Sequence, residues 1–247
     1  MEPAAPAATV EADSGSMAPV DAGVTDASQE TTIAKAPAAS EPASPKERLM
    51  QVHSKETARM RSGVINGVLS EAVRPASTLA NLEGLESFPK NWQPSLKALE
   101  NAYLRMKAST DIPGAAAATA DIGVACGNCH KSLGGPKASS EPAPAAGTTV
   151  ASRMQRHVWA TERLWEALYV PSDASWKAGV EALAGEPFPK ELLDKGGVHA
   201  KSAASRFTSI VATAAGKQKP EDRAKAYASM LETCSACHMA TRGGPSK

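Results

Sequence analysis

Apolar and semi-polar positions recur along this chain with the period of a helix, and they do so in two tandem stretches. In the first, Ser44 offers an N-cap and Pro45 stands at the first helical position. Met50, His53, Thr57 and Met60 then follow at i, i+3, i+7 and i+10, so all four lie along one face of a long amphipathic helix. In the second stretch Met154, His157, Thr161 and Leu164 repeat that pattern. Shorter helical segments are expected over 75–86 and 93–109, and a longer one from Pro113 towards Cys126. The second half predicts segments near 173–184 and 190–214, then a last helix from Pro220 through Ala224, Tyr227 and Leu231 to Cys234. Strand signals are nearly absent, so the pattern predicts an all-α fold.

The two stretches match in more than periodicity. Met50-Gln51-Val52-His53 answers Met154-Gln155-Arg156-His157, and Thr57 and Arg59 answer Thr161 and Arg163. Phe88-Pro89-Lys90 answers Phe188-Pro189-Lys190, and Gly-Gly-Pro occurs at Gly134 and again at Gly243. The offset is 104 at the histidines, 100 at Phe-Pro-Lys and 108 at the cysteines, which places the length changes in loops between the landmarks. The expectation is a duplication: two tandem helical bundles of about four helices each, over 45–135 and 150–247. Residues 136–149 read as a linker. Residues 1–44, rich in Ala, Pro, Ser, Thr and acidic side chains, read as a disordered tether with little to bury.

Composition narrows the class. A chain of 247 residues with 42% hydrophobic content has material for one or two cores, and no run of eighteen apolar residues predicts a membrane span. Twenty-seven basic against 26 acidic residues argue against nucleic acid as a partner. Aromatic residues make up only 4%, so large planar cofactors would supply bulk that the side chains do not.

All four cysteines fall in two motifs, Cys126-Gly127-Asn128-Cys129-His130 and Cys234-Ser235-Ala236-Cys237-His238, which leaves none for disulfides. Two thiols separated by two residues can reach both vinyl groups of a haem while the adjacent imidazole binds iron from one face. The expected cofactors are therefore two covalently bound haem c groups, attached at Cys126 and Cys129 and at Cys234 and Cys237, with His130 and His238 as proximal iron ligands. A thioredoxin-like pair would follow a strand, and a four-cysteine zinc site would not explain the histidine after each pair. Covalent attachment is completed on the outer side of an energy-transducing membrane, so a periplasmic or equivalent location is expected. Met1-Glu2-Pro3-Ala4 lacks the basic and apolar regions of an export signal, so a mature or trimmed form is expected, with removal of a hydrophobic or lipid-bearing leader that could serve as a membrane tether.

Only nine residues follow His238, and Met239 adjoins it, so a sixth iron ligand is expected from upstream. A haem motif at the end of the last helix of a bundle resembles the class II c-type cytochromes, the cytochrome c prime family, and Arg242 resembles the basic residue that follows the motif there. The resemblance implies a distal side supplied by the first helix, often by an apolar residue or by Met. Here that helix carries His53 and His157, the expected distal ligands, with Met50 and Met154 one turn away as rivals or as packing against the porphyrin. Thr57 and Thr161 are candidates for helix packing or for orienting the imidazoles, and Arg59 and Arg163 for reaching propionates or lying in solvent. His199 has no counterpart and reads as a surface or loop residue.

Two bis-histidine irons would leave no open coordination position, so the expected function is outer-sphere electron transfer by a non-enzymatic di-haem protein. Its partners would be redox proteins, including a larger respiratory or photosynthetic complex. A five-coordinate module binding nitric oxide or carbon monoxide is the alternative implied by the family resemblance, and a di-haem peroxidase ranks third.

Overall fold

A computed structural model describes residues 44–80, 88–184 and 188–241. Among them lie eight α-helices, one short 3-10 turn at Lys90–Trp92, and no strand. The first four helices are α1 (Pro45–Ile65), α2 (Leu69–Leu79), α3 (Gln93–Lys107) and α4 (Ile112–Leu133). The second four are α5 (Val150–Tyr169), α6 (Asp173–Leu183), α7 (Lys190–Ala214) and α8 (Pro220–Thr241). The expected tether up to Ala43, together with Arg242 and Gly243, lies outside the described residues.

Local chemistry explains where these helices begin. Ser44 and Glu47 form a reciprocal capping box at α1: the Glu47 amide donates to Ser44 Oγ at 3.2 Å and the Ser44 amide to Glu47 Oε2 at 2.7 Å. Asp111 caps α4 by accepting from the Gly114 amide at 2.7 Å, ahead of Pro113 in the first turn. Thr149 and Ser172 cap α5 and α6 in the same manner. Two expectations change. α2 starts at Leu69 rather than at 75 and carries Pro75 inside it, because Ala72, Pro75, Ala76 and Leu79 form one buried face that packs on α1. The rest of the expected segment, from 81, lies outside the described residues. α7 spans the expected 190–214 but is broken at Gly197, whose φ of 60° only glycine adopts without strain.

Each repeat pairs its helices in the same order. α1 lies on α2 and α3 on α4, as α5 lies on α6 and α7 on α8. The repeats meet where α4 packs along α8, and α4 also touches α5 while α8 touches α1. One hydrophobic core runs through both, from Met60, Tyr103 and Ile122 to Leu164, Phe207 and Leu231. Small side chains such as Ala115, Ala118, Ala224 and Ala228 allow the helices to lie close. The expected linker is coil, but it is fastened to α5: the buried Glu166 carboxylate accepts from the Ser139 amide at 2.8 Å, and Arg156 donates to the Pro144 carbonyl.

Arg61 crosses between the repeats. Its buried guanidinium pairs with Glu162 at 2.6 and 3.1 Å, donates to Tyr227 Oη at 3.0 Å and lies over the Trp165 ring at 5.0 Å. Burial works against its charge, but Tyr227 and Glu162 outweigh that and hold it above its ordinary range.

Helices α1 and α2 cross closely at Gly63, where a Cβ would strike the Ala72 backbone nitrogen and come within 2.8 Å of Ala72 Cα. Gly63→Ala should therefore force α1 and α2 apart and lower stability by about 1–3 kcal/mol in urea unfolding. An unchanged midpoint would show that the crossing is looser than described.

Candidate cofactor-binding site

Cys126, Cys129 and His130 occupy positions i, i+3 and i+4 of α4, and Cys234, Cys237 and His238 repeat that spacing on α8. Helical geometry thus sets two thiols and one imidazole on a single face of each helix. The four cysteines form no disulfide. Burial pushes the Cys126 and Cys234 thiols up to about 12, the reverse of the acidic thiol that a dithiol redox motif needs. Among the described residues no three His, Cys, Asp or Glu side chains converge as a ligand set for a bare ion, so the four sulfurs do not share one centre.

The motif histidines are held in a reciprocal way. His130 Nδ1 lies 2.7 Å from the Tyr169 carbonyl oxygen, and His238 Nδ1 lies 3.0 Å from that of Ile65. Tyr169 and Ile65 are the last residues of α5 and α1, where backbone carbonyls have no partner within the helix. A carbonyl can only accept, so Nδ1 carries a proton in both rings, and in the neutral tautomer with that proton it is Nε2 that offers a lone pair. Ile65 and Tyr169 stand 104 positions apart, the offset of the first-helix histidines. Each repeat's first helix therefore ends on the imidazole of the other repeat's motif.

The same exchange appears in side-chain size. A Cβ on Gly127, inside the first motif, would collide with the Leu168 carbonyl oxygen and come within 3.2 Å of Pro171. In the mirrored contact the motif residue is Ser235, and the residue opposite is Gly67, at φ 70°, where a Cβ would lie 2.9 Å from Ser235 Oγ. One side of each contact is glycine.

The first-helix histidines are both drawn inward. His53 is 7% exposed, with Nδ1 at 2.9 Å from Tyr103 Oη and a buried Nε2 that has no hydrogen-bond partner. Burial pushes its imidazole down to about 4, so it is neutral at neutral pH. Burial raises the cost of ionising Tyr103, and the nearby Cys126 thiol adds to it. His157 is half-buried between Phe188, edge-on at 5.1 Å, and Phe207, stacked at 5.7 Å. Phe188 also packs against the Ala200, Ala203 and Cys237 cluster. Each first-helix histidine thus sits beside a residue that borders a cysteine of its own repeat.

Next to this second group is a cavity of about 710 Å³, lined by Phe188, Leu193 and Ala204, by Glu191, and by the cations Arg153, Lys190 and Lys201, the two lysines being paired with Asp194. The other singled-out residues have plainer places. Met50 and Met154 are half-buried, and His199 is exposed on α7. Arg59 is exposed and paired with Glu56. Arg163 pairs with Glu166 and donates to the Ser139 carbonyl at 3.3 Å, which turns it towards the 136–149 segment. Thr161 bonds to carbonyls of its own helix at His157 and Val158, whereas Thr57 faces the Tyr103 phenol.

Sequence reasoning did not reach Tyr103 and Phe207, although each lies 50 positions after its histidine and could have been found by extending the 104-residue offset. The carbonyls of Ile65 and Tyr169 have no sequence signal at all. No protein family, characterised protein or solved structure matches the chain.

The Gly127 contact gives a sharp test because its obstacle is backbone. Gly127→Ala should cost about 3 kcal/mol of stability by overpacking, whereas Asn128→Ala, at an exposed position of the same motif, should stay within about 0.5 kcal/mol. Equal effects in thermal unfolding would contradict the described packing.

Proposed function

We propose that this chain is a di-haem c-type cytochrome that passes electrons by outer-sphere transfer, with two low-spin haems held by bis-histidine ligation. The observation that carries the reading is the pair of bonds from His130 and His238 Nδ1 to helix-end carbonyls. A metal-ligating histidine characteristically donates its second ring N–H to a carbonyl or carboxylate, which fixes the tautomer and strengthens the ligating nitrogen. The negative end of each helix dipole adds to the same effect. The unpartnered, buried Nε2 of His53 supports the distal assignment, because a buried nitrogen without a partner is costly unless something is meant to meet it.

On this reading Cys126 with Cys129, and Cys234 with Cys237, hold the two porphyrins by thioether bonds. His130 and His238 are the proximal ligands, and His53 and His157 the distal ones. Haem supplies an iron that takes up and releases one electron. The chain supplies the rest: long helices fix both axial imidazoles, the shared core keeps the ligand-bearing helices from shifting, and apolar walls at Phe188 and Phe207 exclude water. The cavity bounded by Phe188 and Leu193 suits the second porphyrin, since it adjoins the neighbours of both Cys237 and His157, and Arg153, Lys190 and Lys201 suit its carboxylates. The helix order and motif position keep the resemblance to class II cytochromes as part of the proposal. So do a location outside an energy-transducing membrane and redox protein partners, a larger respiratory or photosynthetic complex included. No helix among the described residues is long and apolar enough to cross a membrane.

Protein produced in a host that exports it and attaches haem should show low-spin bis-histidine signals in optical and electron paramagnetic resonance spectra. His53→Ala and His157→Ala should each convert one of the two haems to high spin. A high-spin wild type would overturn bis-histidine ligation in favour of a five-coordinate gas-binding site, and unchanged low-spin variants would move the sixth ligand to Met50, to Met154 or to a side chain donated by the other repeat.

A further inference from the structure

The two first-helix histidines stand at equivalent positions in unlike company. Tyr103 and Phe207 occupy the same place in their repeats, and each ring lies against its histidine, at centroid distances of 5.5 and 5.7 Å. In repeat 1 the phenol oxygen is 2.9 Å from His53 Nδ1, and the Thr57 hydroxyl faces the same phenol. In repeat 2 the ring at that place has no oxygen, and Thr161 turns back to carbonyls of its own helix at 3.0 and 2.9 Å. A line of three polar groups, Thr57, Tyr103 and His53, is thus built into one half of an otherwise duplicated core.

We infer that Tyr103 is a positioning residue for the first haem, accepting the Nδ1 proton of His53 and so lowering the reduction potential of that haem specifically. The inference rests on the bis-histidine reading proposed above. When Nε2 of a neutral imidazole serves iron, its one proton must be on Nδ1, and the phenol oxygen is the acceptor within reach. The phenol oxygen can accept this bond while its own hydrogen turns elsewhere, and the Thr57 hydroxyl faces the same oxygen. Accepting from Nδ1 pushes electron density towards Nε2, and a stronger imidazole donor favours ferric over ferrous iron. The packing of the ring alone would do none of this, which is why the oxygen can be tested apart from the ring.

The test is a spectroelectrochemical titration of the full chain with both haems attached, the first haem being identified as the one that His53→Ala turns high-spin. Tyr103→Phe keeps the ring and removes the oxygen. It should raise the potential of the first haem by roughly tenfold in the ferric-to-ferrous ratio, about 59 mV for a one-electron couple, and leave the second unmoved. Thr57→Val, close in shape, should shift the same haem in the same direction by less, and serves should Tyr103→Phe fail to fold. Low-spin spectra with neither haem moved by either substitution would overturn the role of Tyr103 while leaving bis-histidine ligation standing. A high-spin wild type would remove both.

Discussion

The arrangement depends on one interaction made twice: the end of a helix in one repeat accepts a hydrogen bond from the motif imidazole of the other. An α-helix leaves its last carbonyls without partners, and burying such a group unpaired is costly. Here the Ile65 and Tyr169 carbonyls are satisfied by His238 and His130. For this to happen α4 must run close to the end of α5, and α8 close to the end of α1. That closeness explains Gly127 against Leu168 and Gly67 against Ser235. It also explains why one core runs through both repeats and why Arg61 can bridge to Glu162 and Tyr227. On the proposed reading, neither haem's proximal side is complete without the other repeat.

Much of this scaffold was legible in the sequence. Helical periodicity, the Ser44 cap, and the prolines at 45, 113 and 220 located most helices to within a few residues, because caps and first-turn prolines act through local backbone chemistry. The misplaced start of α2 has the opposite cause. The expected segment began at 75, but tertiary burial of Ala72, Pro75, Ala76 and Leu79 against α1 starts the helix earlier and carries it through Pro75. The break at Gly197 was invisible because Gly196-Gly197 sits within a long helical pattern. In the candidate site, the repeated spacing of Cys126, Cys129 and His130 on α4 and of Cys234, Cys237 and His238 on α8 was readable. The partners that orient them were not, since main-chain carbonyls such as Ile65 and Tyr169 carry no residue signature.

The two halves of the chain match in motif and helix order, and their sites differ at particular residues. The scaffold contacts at the repeat junction have stayed matched, even where glycine has changed sides between Gly127 and Gly67. The surroundings of the first-helix histidines have diverged instead, towards Tyr103 and Thr57 on one side and towards Phe188 and Phe207 on the other. Packing shared by both repeats is hard to alter singly, whereas a hydroxyl beside one imidazole can be gained or lost without moving a helix. In a two-centre electron carrier such a change would give the relay a direction.

On the proposed reading each motif holds a haem covalently, and intact mass spectrometry of exported, purified protein is the decisive experiment. The expected mass exceeds the 25.5 kDa of the bare chain by two haem groups, with all four cysteines closed to thiol reagents even after the chain is denatured. A chain of unmodified mass whose four thiols all react once it is denatured, made in a host shown to attach haem to other exported proteins, would rule it out.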